Sequence, residues 1–473
     1  MQTSLINLTN EKGIEEMENK QQMELGTKSI SKLLFSMAIP AITAQVINLL
    51  YNMIDRMYIG HIPEVGATAL TAVGVTMPII MVISAFAALV SMGGAPRSSI
   101  MMGKGDKDTA EKILGNCTTA LVLISVTLTA VGLIFGEKML MAFGASENTI
   151  KYALDYLKIY ACGTLFVQLS LGLNAFITAQ GFAKTSMFTV LIGAILNIIL
   201  DPIFIFGFNM GVKGAALATI ISQGVSALWV IKFLIGDKTL LKIKKKYLKI
   251  DFKVLLPCIA LGLAPFIMQS TESILMISFN TSLLKYGGDL AVGAMTILSS
   301  VMQFSMLPLV GLTQGATPII SFNYGAGNGK RVKETFLLLL KISLIYSVGL
   351  WTITMLSPQI FAKMFTKDAE LINTSIKAMR IYMAASLLFG IQISCQQTFI
   401  ALGNAKTSVF LAILRKIILL IPLIYVLPLF LENKVDAVFL AEPVADIIAV
   451  TITSIMFTIQ FKNVLKELDY QKL

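Results

Sequence analysis

The 473-residue chain has few charged residues, one histidine and no Walker A sequence, and each shortage excludes a class of protein. Charged residues make up 14% of the chain and hydrophobic residues 56%, whereas a soluble domain has roughly 25% charged residues. His61 is the single histidine, so histidine-based metal binding or nucleophilic catalysis has no second histidine to use. The missing Walker A sequence argues against direct ATP drive. This composition predicts a polytopic membrane protein.

Cysteine is scarce as well. Cys117, Cys162, Cys258 and Cys395 are far apart, lie in or beside apolar segments and form no CxxC pair. We interpret them as small core residues rather than as disulfides or metal ligands.

The sequence Gly103-Lys-Gly-Asp106 matches the GxGD of intramembrane aspartyl proteases, but it lies in a basic loop. No nucleophile–base set is present in the apolar segments, so we predict no enzymatic activity and no organic cofactor.

Long apolar segments fill most of the chain. A spanning helix needs roughly 20 mostly apolar residues. Twelve segments qualify, near 33–59, 67–96, 112–135, 150–180, 186–207, 212–235, 254–284, 290–322, 334–357, 372–402, 408–431 and 436–460. The predicted fold class is an all-α polytopic membrane protein with 12 transmembrane helices.

The net charge of +11 is concentrated in loops between these segments. Lys and Arg cluster within 97–112, 238–253 and 330–333, while loops 60–66 and 208–211 contain neither. Because positively charged loops stay on the cytoplasmic side, we predict a multi-pass protein of the lipid bilayer with both termini cytoplasmic. The basic residues form no patch with interleaved aromatics, so we predict no nucleic-acid partner.

The two halves of the chain repeat one another. Gly181-Phe-Ala-Lys-Thr-Ser186 returns 222 residues later as Gly403-Asn-Ala-Lys-Thr-Ser408, and Pro96 returns as Pro318. Each half has six spans, so the repeats run parallel, and two six-helix bundles around a central cavity are expected of a secondary transporter. The predicted units are an N-terminal tail (1–30), an N-lobe of helices 1–6 (31–236), a basic cytoplasmic linker (237–253), a C-lobe of helices 7–12 (254–461) and a C-terminal tail (462–473).

Polar residues on the first span point to a site in the N-lobe. Gln45, Asn48, Asn52 and Asp55 follow at i, i+3, i+7 and i+10, which places them on one face of a helix. A carboxylate within a span is costly and commonly faces an interior cavity. The alternative is a helix-end residue that snorkels to the interface beside Arg56. We take the three amide side chains as candidates for a substrate cavity.

A second carboxylate lies at a similar depth. Asn197 and Asp201 of the fifth span are four residues apart and share a face. The predicted orientation places them near Asp55, with Thr219 of the sixth span and Tyr156 of the fourth. Two carboxylates in a low dielectric would not both stay ionised without a cation, so we predict a proton- or sodium-coupling site. Polar residues that only hold helices together are the alternative.

The second half carries a different set of polar residues. Further candidates for the substrate cavity are Asn174 of the first half and, in the second half, Gln269, Glu272, Gln392 and Gln396. Glu272 could equally be held in a structural pair. Two acids and two bases in the last two spans could pair internally, namely Glu442, Asp446, Arg415 and Lys416.

Several of these features together resemble the multidrug and toxic compound extrusion (MATE) family. The first span joins Pro40 to an Asn-x-x-Asp55-x-x-x-x-Gly60 ending, the second contains Gly94-Ala-Pro96, and the fifth contains Asn197-x-x-x-Asp201-Pro202. The likeness extends over about residues 30–460 and is closest to the MepA-like bacterial branch.

The resemblance implies a MATE fold of the MOP superfamily in a bacterial cell (inner) membrane. It implies secondary active multidrug efflux, in which cationic or aromatic compounds leave by alternating access in exchange for H⁺ or Na⁺. It also implies a cation site at Asp55, Asn197, Asp201 and Thr219, occupied by Na⁺ if transport is sodium-coupled, with Tyr156 in the adjoining network. The expected partners are small cationic drugs, and the chain is expected to be a monomer.

Alternatives to this function stay open at this point. One is a flippase for lipid-linked oligosaccharides or precursors of the same superfamily, and composition alone does not exclude a channel. Some family members carry an aspartate in the tenth span as part of a C-lobe cation site. Here Leu388-Phe-Gly-Ile-Gln392 contains no acid, which argues against a C-lobe sodium site of that kind.

Overall fold

The computed structural model describes residues 24–470, and within that range every regular element is a helix. The predicted tail at 1–30 therefore lies largely outside the described residues, as do the last three positions. The helices are α1 Ile30–Gly60, α2 Gly66–Gly103, α3 Lys107–Ala142, α4 Ile150–Cys162, α5 Thr164–Ala179, α6 Ala183–Pro202, α7 Val212–Ile235, α8 Phe252–Gly325, α9 Gly329–Leu356, α10 Pro358–Phe365, α11 Ala369–Tyr382, α12 Phe389–Ala401, α13 Ala405–Ile413, α14 Ile421–Phe430 and α15 Lys434–Tyr470.

The predicted number of twelve spans agrees with this architecture. Among residues 24–470, nine helical stretches are long and apolar enough to cross a membrane, and two bent pairs, α4 with α5 and α11 with α12, raise the number to eleven. The 74-residue α8 breaks at Gly288, where φ is 62° and ψ is −160°. Because this break separates two spans, α8 supplies both the seventh and the eighth.

The bent spans occupy equivalent places in the two halves. The fourth span bends by 57° between Cys162 and Thr164, and the tenth bends by 46° between Tyr382 and Ser386. The fifth and eleventh spans contain π-turns, Ile203–Gly207 and Leu414–Leu420. The first follows Pro202, which has no backbone N–H to donate and so favours a local change of hydrogen-bond pattern.

Side-chain hydrogen bonds recur at the 222-residue offset. A serine hydroxyl donates to the last turn of the bent span in each half, and an amide of that span donates to the next helix. The pairs are Ser99 to Ala179 O (3.1 Å) with Ser321 to Ala401 O (2.7 Å), and Asn174 to Ser186 O (3.2 Å) with Gln396 to Ser408 O (2.9 Å). The repeat seen in the sequence is therefore a repeat of packing.

The two halves meet backbone to backbone along α2 and α8. A Cβ atom built on Gly93 would lie 1.9 Å from Cys258 O, and one on Gly103 would lie 2.0 Å from Phe322 O. Gly325 stands in the reciprocal place and approaches the carbonyl of Ile100, where a Cβ would lie 1.9 Å away. Only glycine allows such approaches. These contacts lie at the end of the molecule that carries the basic loops, which we call the basic end.

The lysine-rich connection between the halves packs on the first half instead of hanging free. Gln180 Oε1 accepts hydrogen bonds from the amides of Leu240 (2.7 Å) and Leu241 (2.9 Å), and both leucines are buried. The segment before α1 contacts the other half, where Arg331 Nη2 donates to Leu25 O at 3.1 Å. Each half thus holds a segment at the basic end.

Further from the basic end, side chains also make contacts between the halves. The Phe86 and Phe266 rings meet edge to face with centroids 5.0 Å apart, and Ser273 Oγ lies 4.0 Å from Met81 Sδ. Gln269, on the same stretch of α8, is exposed. We call the boundary between the lobes at Met81, Gln269 and Ser273 the inter-lobe cleft.

Candidate functional site

The carboxylates predicted to act together are neighbours. Asp55, near the end of α1, and Asp201, near the end of α6, lie within hydrogen-bonding range of each other. Their residues are 6% and 0% exposed. Asn197 Nδ2 donates to Asp201 Oδ1 at 3.2 Å, as expected for positions four apart on one helix. Because the exposed fraction of Asp55 is so small, its side chain lies inside the protein and not at an interface beside Arg56.

Two more helices complete the group. Asn197 Nδ2 lies 3.5 Å from Thr219 Oγ1 on α7, and that hydroxyl donates to Ala215 O at 3.0 Å. The Tyr156 hydroxyl on α4 faces Thr219, and its ring stacks on Tyr160 with centroids 6.2 Å apart. The structure therefore brings together all five residues predicted for the coupling site. We call Asp55, Asn197, Asp201, Thr219 and Tyr156 the carboxyl cluster.

The cluster contains oxygen atoms that need a proton or a cation. Asp55 Oδ1, Asn197 Oδ1 and Asp201 Oδ2 are buried and have no hydrogen-bond partner among residues 24–470. A buried acceptor without a partner is costly, and two adjacent ionised carboxylates repel strongly in a low dielectric. A proton on one carboxyl relieves both problems. A hard cation such as Na⁺ does so as well, because it prefers oxygen ligands.

A cavity adjoins the carboxyl cluster within the first half. Its volume is about 50 Å³, which is room for a few water molecules. Among the residues that line it are Asn48 and Asn174, both predicted to face a cavity, together with Asn197 and Thr219 of the cluster. An ion in the cluster would therefore lie beside a space that several polar side chains line.

Some residues of this cavity were missed in the sequence. Tyr51 and Gln223 line it together with several serines of α5 and α7. Gln223 follows Thr219 at i+4, so helical spacing could have placed both on one face. Tyr51 carried no such signal, because aromatic residues in a span more often contact lipid or apolar neighbours.

The polar stripe of the first span does not face one environment. Gln45 Nε2 donates across to Gln314 Oε1 of α8 at 3.2 Å, whereas Asn52 is exposed and donates to Asn48 O of its own helix at 2.6 Å. Only Asn48 and Asp55 face the interior of the first half. Gln45 and Asn52 meet other surroundings than Asn48 and Asp55, because α1 packs against both halves along its length. Their place in a substrate cavity stays a prediction.

The substrate-cavity candidates of the second half also lie in different surroundings. Gln392 and Gln396 are 6% and 5% exposed, so they lie within the helix packing and not on the cleft. Gln269 is exposed beside the cleft. Glu272 accepts a hydrogen bond from Lys416 Nζ at 2.7 Å. Glu442 and Asp446 of α15 pair with Arg415, an internal pairing of the kind expected from the sequence.

The cysteines follow the sequence interpretation with one exception. Cys117, Cys258 and Cys395 are buried and all four cysteines are free thiols, but Cys162 is exposed. Cys162 ends α4 at the 57° bend of the fourth span. Cys162 therefore lies at a bend of the span and not in the core.

A family model described as MatE matches residues 40–203 and 264–426, once in each half of the chain. The chain belongs to the MatE family. Its relatives include the multidrug export proteins MepA of Staphylococcus haemolyticus and of Staphylococcus aureus (strain NCTC 8325 / PS 47). The first is 26% identical over 439 residues, which are 92% of this chain and 96% of that protein; the second is 25% identical over 447 residues, 93% and 97%.

Solved structures of the MatE family share the fold. A crystal structure of MATE in the bent conformation aligns with a TM-score of 0.88 at 22% identity and covers 95% of this chain and 99% of that one. A MATE family transporter of the MOP superfamily in an outward-facing conformation aligns with a TM-score of 0.86 at 22% identity, over 93% and 98%. The MatE assignment and the all-helical structure make this chain a membrane-spanning transporter with the fold predicted from its sequence.

Proposed function

We propose that this MatE protein exports cationic aromatic compounds in exchange for H⁺ or Na⁺, with the carboxyl cluster as the coupling site. The observation that carries the proposal is the convergence of three unpartnered buried oxygens on Asp55, Asn197 and Asp201. The relatives named multidrug export protein support export as the direction of transport. The proposed ligands of Na⁺, if sodium drives transport, are these three residues and Thr219.

Coupling follows from a difference in ion affinity between two conformations. The cluster joins α1 to α6 and α7, and α1 also contacts α8 of the other half through Gln45 and Gln314. An ion that binds the cluster more tightly in one arrangement of α1 shifts the equilibrium toward that arrangement. By linkage, a drug that prefers the other arrangement is released. The two ligands then compete without sharing a site.

The proposed units are those of the sequence: an N-lobe at 31–236, a linker at 237–253 and a C-lobe at 254–461, flanked by tails. We propose that the basic end faces the cytoplasm and that the chain works as a monomer. The contacts of Gly93, Gly103 and Gly325 close the lobes at that end, so alternating access requires these contacts to separate. The linker and the segment before α1 restrain that movement.

The test is transport into vesicles with separately imposed pH and sodium gradients. Asp55→Asn and Asp201→Asn should each reduce gradient-driven uptake of a fluorescent cation at least tenfold, because an amide neither releases a proton nor balances a cation. Asp155→Asn is the matched control, since Asp155 lies beside Tyr156 but pairs with Lys213 at 3.5 Å outside the cluster. Uptake at the wild-type rate in both cluster variants would refute the coupling site.

The same experiment identifies the ion. If protons drive transport, the pH gradient alone supports uptake and sodium has no effect; if sodium does, the reverse holds. Uptake under neither gradient would contradict antiport. A flippase for pyrophosphate-linked lipids is disfavoured, because Arg415 and Lys416 are both paired with carboxylates and would not be free to bind a pyrophosphate.

A further inference from the structure

The C-lobe holds a second group of charges that the coupling site does not use. Arg415 Nε donates to Asp446 Oδ1 at 2.7 Å, and its Nη2 lies 3.3 Å from Glu442 Oε1. Lys416 Nζ donates to Glu272 Oε1 at 2.7 Å. Three carboxylates therefore face two cations. With all five groups ionised, the group lacks one positive charge.

The five groups differ in their access to water. The side chains of Glu442 and Asp446 are 4% and 3% exposed, and that of Arg415 is 14% exposed. Lys416 is also enclosed, with 9% of its side chain exposed, whereas Glu272 is 54% exposed. Glu272 is thus the one carboxylate of the group that a molecule could reach without opening the lobe.

The accessible carboxylate lies beside the inter-lobe cleft. Glu272 precedes Ser273, which contacts Met81 of the other lobe, and follows the exposed Gln269 by three residues on the same helix. A lipid-facing carboxylate would be costly, whereas Glu272 lies where the two lobes meet. Lys416, the buried partner, approaches Glu272 from within the C-lobe. In this ion pair the lysine is therefore enclosed and the glutamate is accessible.

We propose that Lys416 is a tethered cation that competes with the transported cation for the carboxylate of Glu272. The proposal rests on the proposed export of organic cations and adds a residue that sets the affinity for them. A lipophilic cation enters the cleft, replaces the ammonium group at Glu272 and brings the number of positive charges in the group to three. The group is then neutral, which a low-dielectric site favours.

The displaced ammonium has another acceptor within the lobe. Lys416 also faces Glu442, and Glu442 makes the longer of the two contacts with Arg415, 3.3 Å against 2.7 Å. Lys416 can therefore move toward Glu442 without losing all pairing. Release of the transported cation lets the ammonium return to Glu272, so the lysine opposes binding and assists release.

The experiment measures equilibrium binding to the full chain in lipid nanodiscs. The probe is tetraphenylphosphonium, whose fixed charge does not titrate, and triphenylphosphine oxide is its uncharged comparator. The variants are Lys416→Met, Lys416→Arg, Glu272→Gln and the double variant Glu272→Gln/Lys416→Met. Lys406→Met is the matched control, because Lys406 lies in the same span but is exposed.

Removal of the Lys416 ammonium group should tighten the binding of tetraphenylphosphonium and not that of the uncharged comparator. Lys416→Met should lower the Kd of tetraphenylphosphonium by about tenfold, the effect of one charged hydrogen bond, and leave that of the uncharged comparator unchanged. Lys416→Arg and Lys406→Met should keep the wild-type Kd. Glu272→Gln should raise the Kd, and adding Lys416→Met to it should give no gain.

An unchanged or raised Kd in Lys416→Met would overturn the inference, as would a gain that persists without Glu272. If Lys416→Met is not monodisperse, Glu272→Gln decides, and a wild-type Kd in that variant rejects the competition. Wild-type protein that binds no tetraphenylphosphonium would reject the proposed substrate class as well. The vesicle assay with Asp55→Asn tests the coupling site separately, so the two failures can be told apart.

Discussion

Single residues in this molecule are constrained by what lies opposite them in the other half. Gly103 and Gly325 face carbonyl oxygens across the two-fold repeat, at distances that leave no room for a methyl group. The sequence shows these glycines as repeated turn residues, yet their contacts lie between the lobes. A residue that looks local in the sequence therefore controls the closest approach of two domains.

Gly103→Ala should separate the lobes at the basic end. Its Cβ would lie 2.0 Å from Phe322 O, which is a backbone atom and cannot move alone. We expect at least threefold faster maleimide labelling of Cys258, buried in the same interface, in a chain whose other cysteines are replaced by alanine. Gly74→Ala, where no atom lies within 4 Å, should leave labelling unchanged. Equal rates in the two variants would contradict the closed interface.

At the scale of elements, the linker is held by a side chain of a bent span. Gln180 is fully buried at the end of α5, and its Oε1 accepts from Thr239 Oγ1 at 2.9 Å in addition to the two leucine amides. The basic loop 237–253 was predicted to connect the lobes. Its packing means that it also forms part of the first half.

Gln180→Ala should loosen this loop. Two buried amides would lose their acceptor, at about 1–3 kcal/mol each, so the melting temperature should fall by several degrees and trypsin should cut the lysine-rich loop faster. Gln180→Glu keeps the accepting oxygen but loses the donation from Nε2 to Phe176 O (3.0 Å), so trypsin should cut it more slowly than the alanine variant. If the alanine variant is as resistant to trypsin as the wild type, the loop is held by other contacts.

The number and order of the spans could be predicted, but their irregularities could not. Apolar length predicts twelve spans because each must cross the same thickness of hydrocarbon. The bend at Gly163 and its counterpart near Ala385 contain no proline. These features result from packing between helices, which single-helix patterns do not contain.

The candidate site could be predicted in part for a related reason. Asn197 and Asp201 are four residues apart, so their hydrogen bond follows from helical spacing alone. Asp55 can contact Asp201 because the two residues lie at a similar depth in the membrane, and the predicted spans give that depth. The separation of Gln45 and Asn52 from Asp55 depends on which neighbour each residue meets along α1, and the sequence of α1 does not specify that.

For the whole molecule, orientation decides the direction of transport. The loops rich in Lys and Arg lie together at the basic end, where Lys112 Nζ pairs with Asp251 Oδ2 at 2.7 Å. The hydrogen bond to Lys112 lowers the pKa of Asp251. Because its carboxylate stays ionised to lower pH than a free aspartate, this pair persists at any cytoplasmic pH. Basic loops resist translocation, which supports the proposal that this end faces the cytoplasm.

Membrane-impermeant maleimide labelling of single cysteines tests this orientation. Lys245→Cys in the linker and Lys285→Cys near the Gly288 break both replace exposed lysines, and they lie at opposite ends of the seventh span. In a background without native cysteines, the cysteine at 285 should react in intact cells, whereas that at 245 should react only in inverted vesicles. Permeabilised cells should label both and so control for reactivity. Labelling at 245 in intact cells would place the basic end outside and reverse the proposed direction of transport.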